Sequence, residues 1–127
     1  MKLYADHAPP LAVHASERAL ADAGVSPEAI THLVTVSCTG FVSPGVDFAI
    51  LKDLGLRNTV ERVHVGYMGC HAAINGLRVA SALASDPNAV VLMTAVELCS
   101  LHYYYGMDAD KVVANALFAA TRSTERM

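Results

Sequence analysis

The chain has 127 residues and a formal net charge of −3, which suits one domain with one hydrophobic core. Neither a basic stripe nor a run of like charges is present, which argues against a nucleic-acid-binding surface and a charged tail. Apolar residues make up 54% of the chain, and counting glycine in place of tyrosine gives about 56%, against roughly 45–50% in ordinary soluble domains. This excess indicates a piece of the interior of a larger protein, with a small, very well-packed domain as the alternative.

Membrane and metal functions find no support in the sequence. The longest apolar stretch, Ala89–Leu101, is interrupted by polar residues and is shorter than the roughly 20 residues that a spanning helix needs. The first residues contain no apolar segment typical of a secretory signal. The 3 cysteines are widely spaced and fit no zinc pattern. We therefore expect no membrane, no metal and reduced thiols in the cytoplasm.

The first third of the chain predicts a helix, a short turn and a strand. The helix covers Pro9–Ala23, because Pro10 suits a first helical turn and Gly24 suits the residue after the last one. Ser26–Glu28 has the Ser-Pro pattern of a short turn, and the β-branched segment Thr31–Ser37 predicts a buried strand. The residues at helical spacing, which we expect to face the core, are Leu11, Ala15, Ala19 and Leu20.

The rest of the chain continues the alternation of helix and strand. Ser43-Pro44 predicts a helix start, and Gly55 predicts its end after Leu54. This alternation predicts an α/β fold with a largely parallel sheet. The remaining predicted elements are a strand at Val60–Val65, a helix at Cys70–Ala84, a buried strand at Ala89–Leu98 and a helix at Lys111–Phe118.

The helix Cys70–Ala84 carries apolar or small residues on nearly every side, which is typical of a buried helix. Gly76 lies inside it, where glycine costs roughly 1 kcal/mol relative to alanine. We therefore expect Gly76 to allow close packing against another backbone.

Cys70 is the strongest candidate for chemistry. It lies in the segment Val65–Ala73, between a β-branched run and the start of that helix. Unpaired backbone N–H groups and the helix dipole favour the thiolate there, and the thiolate is the nucleophile. Gly66 and Gly69 suit a sharp turn before it. The alternative is that Cys70 is an ordinary buried cysteine.

Four segments, taken in order, resemble the type III polyketide synthases, the chalcone and stilbene synthase-like condensing enzymes of the thiolase superfamily. The forms GCHAA and ELCSLH are closest to those of alkylpyrone and alkylresorcinol synthases. The four segments are Thr35–Asp47 (TVSCTGFVSPGVD), Gly66–Ala73 (GYMGCHAA), Val96–His102 (VELCSLH) and Val113–Phe118 (VANALF).

The resemblance implies a fold and a set of roles. The fold would be part of the N-terminal half of a thiolase-like fold, with a mostly parallel sheet and a buried helix that bears the nucleophile. Cys70 matches the nucleophile, which takes a starter acyl group from coenzyme A and extends it with malonyl-CoA by decarboxylative Claisen condensation. Cys38, Cys99 and His102 match positions that line the substrate cavity, and core packing is the alternative for these three. The resemblance also implies coenzyme A thioesters as substrates, no bound cofactor and a homodimer for the complete family member.

The resemblance also predicts what is missing. The family's catalytic histidine and asparagine come from a C-terminal half, so this N-terminal-half fragment is expected to be inactive alone. His71 follows Cys70, but successive helical residues point about 100° apart, so its ring is expected to face elsewhere. Residues 1–119 would form a partial thiolase-like domain, and residues 120–127 an aberrant polar tail. Two alternatives remain open: a non-catalytic fragment that pairs with a full-length or complementary synthase subunit, and another condensing enzyme such as ketoacyl synthase III.

Overall fold

The computed structural model describes residues 1–119, so the predicted polar tail at 120–127 lies outside the described residues. The described chain forms two compact units, one over Met1–Glu97 and one beginning at Leu98. The first unit is an α/β structure, and it confirms the predicted fold class. Its helices and strands are α1 (Lys2–Ala23), β1 (His32–Ser37), α2 (Val46–Asp53), β2 (Glu61–Gly66), α3 (Ala72–Leu83) and β3 (Val91–Ala95).

The sheet of the first unit has three parallel strands in the order β2-β1-β3. β1 is the central strand, and five of its six residues are buried. Its register places His32 opposite Glu61 of β2 and Val91 of β3. A central strand of a parallel sheet is covered on both faces, which explains why its residues do not alternate in burial.

Helix α1 begins seven residues earlier than the sequence predicts, so Pro9 and Pro10 lie inside it rather than in its first turn. A proline inside a helix costs about 3 kcal/mol or more. The burial of Tyr4 and Ala8 before the prolines and of Ala12 after them offsets that cost. The predicted core face was wrong apart from Leu20, since Leu11, Ala15 and Ala19 are exposed. The buried face instead follows every fourth residue: Tyr4, Ala8, Ala12, Ser16 and Leu20.

Two buried hydroxyl pairs attach α1 to the sheet. The Tyr4 hydroxyl forms a short hydrogen bond with the hydroxyl of Ser37, and Ser16 Oγ lies 2.6 Å from Thr94 Oγ1. Each pair satisfies two polar groups that would otherwise be buried without partners. Together they fix the position of α1 along the sheet.

The loops at the ends of α1 and α2 follow the predicted pattern in part. Gly24 follows α1 with a φ of 63°, and the short turn comes next at Pro27–Ala29. Helix α2 begins at Val46, not at Ser43-Pro44, and Gly55 follows it with a φ of 66°. Both glycines therefore adopt the left-handed conformation that ends a helix at low cost.

Helix α3 packs on the face of the sheet opposite α1. Gly76 makes this approach possible, because a Cβ atom there would lie 2.6 Å from Val36 Cγ2 and 2.8 Å from Met93 Cε. The predicted close packing is therefore present, but it is against side chains of β1 and β3 rather than against a backbone.

The expectation that α3 is buried on all sides was wrong for the described chain. Only Ala72 and Gly76 are buried, whereas Ile74 is 54% exposed and Leu77 is 60% exposed. The reason is that a helix laid on one sheet face buries one stripe, and no other element of the first unit covers the opposite side of α3.

The second unit contains a 3-10 turn at Cys99–His102 and helix α4 at Ala109–Ala119. The Asn115 side chain joins the two parts, because its Oδ1 accepts from the Tyr104 backbone N–H at 3.0 Å and its Nδ2 donates to the Tyr104 carbonyl at 2.7 Å. The Lys111 ammonium lies 3.8 Å from the centre of the Tyr104 ring. The helix matches the predicted one and extends it at both ends.

Tyr4 gives the first unit a testable alkaline sensitivity. Burial raises the pKa of Tyr4 above its usual value near 10. Above about pH 10 the unfolded chain loses this proton while the folded chain keeps it, so the free energy of unfolding should fall as the pH rises. Urea unfolding between about pH 8 and pH 11 should show a smaller fall for Tyr4→Phe. Equal pH dependence in the two proteins would contradict the assignment, and Tyr105→Phe, at a tyrosine 90% exposed, is the control.

Candidate active site

The carboxyl ends of the three parallel strands bring the candidate residues of the first unit to one edge of the sheet. β1 runs into Cys38, β2 runs into Tyr67, and Glu97 lies two residues after β3. The Val96 N–H donates to the Val36 carbonyl at 3.0 Å, so the strand pairing continues right up to Glu97. Ligand and active sites of parallel sheets lie at this end.

The segment before Cys70 is a tight turn with two left-handed residues. Tyr67 has a φ of 59° and Gly69 a φ of 66°, with Met68 between them. A left-handed non-glycine residue such as Tyr67 is unfavourable by roughly 1–3 kcal/mol. The surrounding structure therefore has to hold this turn in place.

Cys70 lies in a single 3-10 turn, Gly69–His71, directly before the first residue of α3. The residue is exposed and its thiol is free. The position is thus the start of a helix, open to solvent, where backbone N–H groups have no helical partner. A thiol held in this way can attack an electrophilic carbonyl that approaches from solvent.

The two glycines of the turn have different uses. Gly69 takes the left-handed conformation, as its place in a sharp turn requires. Gly66 does not: it is the last residue of β2, and Tyr67, which follows it, is the other left-handed residue of the turn. A Cβ atom at Gly66 would lie 3.0 Å from His64 Nε2, so this glycine leaves room for the His64 ring.

Cys38 is brought to the same turn. It is half-buried at the end of β1, and its Sγ donates to the Gly69 carbonyl oxygen at 3.6 Å. The residue that accepts this bond is the direct neighbour of Cys70. The structure therefore joins Cys38 to the turn that presents Cys70.

Glu97 is a site residue to which the sequence interpretation gave no role. Its Oε1 accepts from the Cys38 backbone N–H at 2.8 Å, and its Oε2 accepts from the Thr39 N–H at 2.9 Å and the Thr39 hydroxyl at 2.7 Å. A carboxylate bonded to several donors forms charge-assisted hydrogen bonds, which are stronger than neutral ones. One signal pointed to it: Glu97 is the acidic residue inside the apolar stretch Ala89–Leu101.

Tyr4 of α1 contacts the end of β1 and the loop that follows it. Its hydroxyl bonds to Ser37, and a Cβ atom at Gly40 would lie 2.1 Å from the Tyr4 ring. The Gly40 backbone therefore lies close against the Tyr4 ring, and the loop that follows Cys38 packs on α1.

Within the first unit, the histidines contribute little to this edge. His71 is exposed, and His64 Nδ1 lies 2.9 Å from Thr35 Oγ1. Across residues 1–119, no group of three or more His, Cys, Asp or Glu side chains is placed to hold a metal ion. Over the same residues no helix is long and apolar enough to cross a membrane.

Cys99 and His102, the other two candidates, belong to the second unit. They are the first and last residues of the 3-10 turn Cys99–His102, with Cys99 half-buried and His102 exposed. The first unit thus gathers Cys38 and Cys70, and the second gathers Cys99 and His102.

Comparison with known proteins gives a consistent family. A family model described as chalcone and stilbene synthases, N-terminal domain, matches residues 2–124. The alpha-pyrone synthesis polyketide synthase-like protein Pks18 of Mycobacterium tuberculosis is 43% identical over 119 residues, which cover 93% of this chain and 30% of the relative. The chain therefore spans about 30% of the length of this relative.

Solved structures of the same kind match the fold. The C-terminal type III polyketide synthase domain of Steely1 from Dictyostelium superposes with a TM-score of 0.84 at 38% identity, covering 91% of this chain and 32% of that one. CsyB, named as an acylalkylpyrone synthase in Aspergillus oryzae, was solved in complex with CoA-SH. It matches with a TM-score of 0.70 at 32% identity, covering 98% of this chain and 32% of that one.

The different environments of Cys70 and Cys38 predict different rates of alkylation. Cys70 is exposed, whereas Cys38 is half-buried and its thiol donates a hydrogen bond to the Gly69 carbonyl oxygen. Iodoacetamide labelling of the folded chain, followed by peptide mapping, should modify Cys70 about fivefold faster than Cys38 or more. In concentrated urea the difference should vanish. Equal rates in the folded chain would contradict this arrangement of the site.

Proposed function

This chain belongs to the chalcone and stilbene synthase family through the N-terminal domain of those enzymes, and from that premise we propose that Cys70 is the acyl-accepting nucleophile of a type III polyketide synthase. The observation that carries the proposal is the exposed Cys70 thiol in the turn before α3, at the carboxyl edge of the parallel sheet. This is a position from which a thiol can meet a substrate that comes from solvent.

The proposed reaction has two parts. The Cys70 thiolate attacks the carbonyl carbon of an acyl-CoA, the carbon–sulfur bond to coenzyme A breaks, and coenzyme A leaves as the thiol after taking a proton. Malonyl-CoA then loses carbon dioxide, and the resulting carbanion attacks the acyl-cysteine carbonyl. This second step forms the new carbon–carbon bond and releases the Cys70 thiolate. A thioester suits both steps because it forms readily and stays electrophilic.

Coenzyme A thioesters are the substrates that this proposal requires, with no bound cofactor. A relative with the same fold, CsyB, was solved with CoA-SH, which supports this choice of carrier. Cys38, Cys99 and His102 are proposed to line the substrate cavity of the complete enzyme, which we expect to be a homodimer. A nucleophilic thiol needs a reducing compartment, so we propose a cytoplasmic location.

The chain alone is expected to perform only the first part of the reaction. The resemblance places the family's catalytic histidine and asparagine beyond the stretch that matches this chain, and such groups each contribute several kcal/mol to transition-state stabilisation. Slow acylation of Cys70 without condensation is therefore the expected activity.

Acylation can be measured directly. The 127-residue chain, incubated with acetyl-CoA or a long-chain fatty acyl-CoA, should gain one acyl mass on the peptide that contains Cys70. Cys70→Ala should lose this mass gain, because no other thiol stands at the start of a helix in the first unit.

Cys38→Ala is the matched comparison, since it removes the other thiol of the same site: acylation of Cys70 should become slower but should still occur. An unmodified Cys70 beside an acylated Cys38 would contradict the assignment.

A second candidate function rests on a different observation. The outer side of α3 exposes Ile74 and Leu77, at 54% and 60%, and apolar faces of this kind mark surfaces that another protein covers. A non-catalytic chain of this fold would use such a face to pair with a full-length or complementary synthase subunit.

Gel filtration distinguishes the two functions. A chain that acts by pairing should elute larger than a monomer, and Leu77→Glu should shift it towards the monomer by placing a charge on the apolar face. Ala15→Glu, at an exposed residue of α1 on the other face of the sheet, is the control. A monomer with a sharp unfolding transition would exclude obligate pairing.

A further inference from the structure

Glu97 connects the residues that follow β1 to those that follow β3, beyond the last backbone hydrogen bond between these two strands. The pairing of β1 with β3 ends where Val96 donates to Val36, so the N–H groups of Cys38 and Thr39 lie beyond it. The Glu97 carboxylate accepts from both, at 2.8 Å and 2.9 Å, and from the Thr39 hydroxyl at 2.7 Å. The Glu97 side chain thus links the two segments where backbone hydrogen bonds between the strands have ended.

The contacts continue from there to the reactive cysteine. With its backbone held by Glu97, Cys38 places its Sγ 3.6 Å from the Gly69 carbonyl oxygen. Gly69 precedes Cys70 and has a left-handed φ of 66°, and Tyr67 two residues earlier has one of 59°. A turn with two such residues depends on outside contacts to keep its shape.

From this chain of contacts we propose that Glu97 is a positioning residue for Cys70, acting through Cys38 and the Gly69 carbonyl. The inference rests on the proposed function, because Cys70 is taken as the nucleophile. Glu97 touches neither the thiol nor the substrate in this scheme; it sets where the thiol lies relative to the start of α3.

The chemistry of the side chain explains why a glutamate is needed. Both carboxylate oxygens are used, one for Cys38 and the other for Thr39. Glutamine has the same shape but only one acceptor oxygen, and its amide nitrogen would face an N–H donor. Glu97→Gln therefore breaks part of the contact while leaving the exposed residue the same size.

The test is a double-mutant cycle on the full chain, with iodoacetamide as the probe and the alkylation rate of Cys70 as the readout. The variants are Glu97→Gln, Cys38→Ala and both together, with Glu28→Gln as the control. Glu28 is an exposed glutamate in the turn before β1, at the opposite end of that strand. Amide ¹⁵N–¹H spectra report in parallel on the Cys38 and Thr39 N–H groups and show whether each variant is folded.

We expect Glu97→Gln to slow Cys70 alkylation about fivefold, and to have little further effect once Cys38 is alanine, since coupled residues are non-additive. The Cys38 and Thr39 amide signals should move while those of the strands stay in place. Glu28→Gln should leave the rate unchanged.

A merely structural role for Glu97 would lower the stability of the fold, and its effect on the alkylation rate would add to that of Cys38→Ala. Additive effects on the rate, or an unchanged rate in Glu97→Gln, therefore overturn the inference. If Glu97→Gln does not fold, Glu97→Asp serves as the second variant, with the same outcomes.

The failure of this inference can be told from the failure of the proposed function. Acylation of Cys70 by acyl-CoA in the unsubstituted chain, without coupling between Glu97 and Cys38, would overturn the positioning role alone. Coupling in the alkylation rates, without acylation, would overturn the proposed function alone.

Discussion

The parallel pairing of β1 with both of its neighbours is the constraint on which the rest of the structure depends. It fixes His32 opposite Glu61 on one side and Val91 on the other, and therefore fixes where all three strands end. Cys38, the turn before Cys70 and Glu97 come together only because those ends coincide. A change of register by one residue would exchange the two faces of β1 and separate the site residues.

The two faces of the sheet are covered by different means. On one face α1 is joined to the strands by the hydroxyl pairs Tyr4–Ser37 and Ser16–Thr94, which are directional and fix the helix along its axis. On the other face α3 comes close because Gly76 has no side chain, and this contact is apolar and less directional. The cysteine is thus carried by the helix whose outer side is open, while the supporting loop is carried by the helix that is held by polar contacts.

Much of the fold could be predicted from the sequence, because strands rich in β-branched residues and helices ended by glycine are local signals. β1, β2 and the start of α3 lie close to their predicted positions, and Gly24 and Gly55 end their helices as expected. The start of α1 could not be found in this way, because the burial of Tyr4 and Ala8 outweighs the cost of two prolines, and that burial is a tertiary effect. The burial of α3 was misjudged for a related reason. A helix with apolar residues on nearly every side can be covered by other segments, but its own sequence does not say which segments cover it.

The position of Cys70 at a helix start followed from local pattern, whereas the role of Glu97 depends on a contact across 58 residues or more of sequence.

The close approach of Gly40 to the Tyr4 ring has an evolutionary consequence. Any side chain at position 40 would occupy the space of the ring, since even a Cβ atom would lie 2.1 Å from it. A larger residue at 40 becomes tolerable only after the aromatic residue at position 4 has become smaller, and that change also removes the hydroxyl partner of Ser37. Descent with modification should therefore keep positions 4, 37 and 40 as one inherited unit, although 33 residues separate the first two.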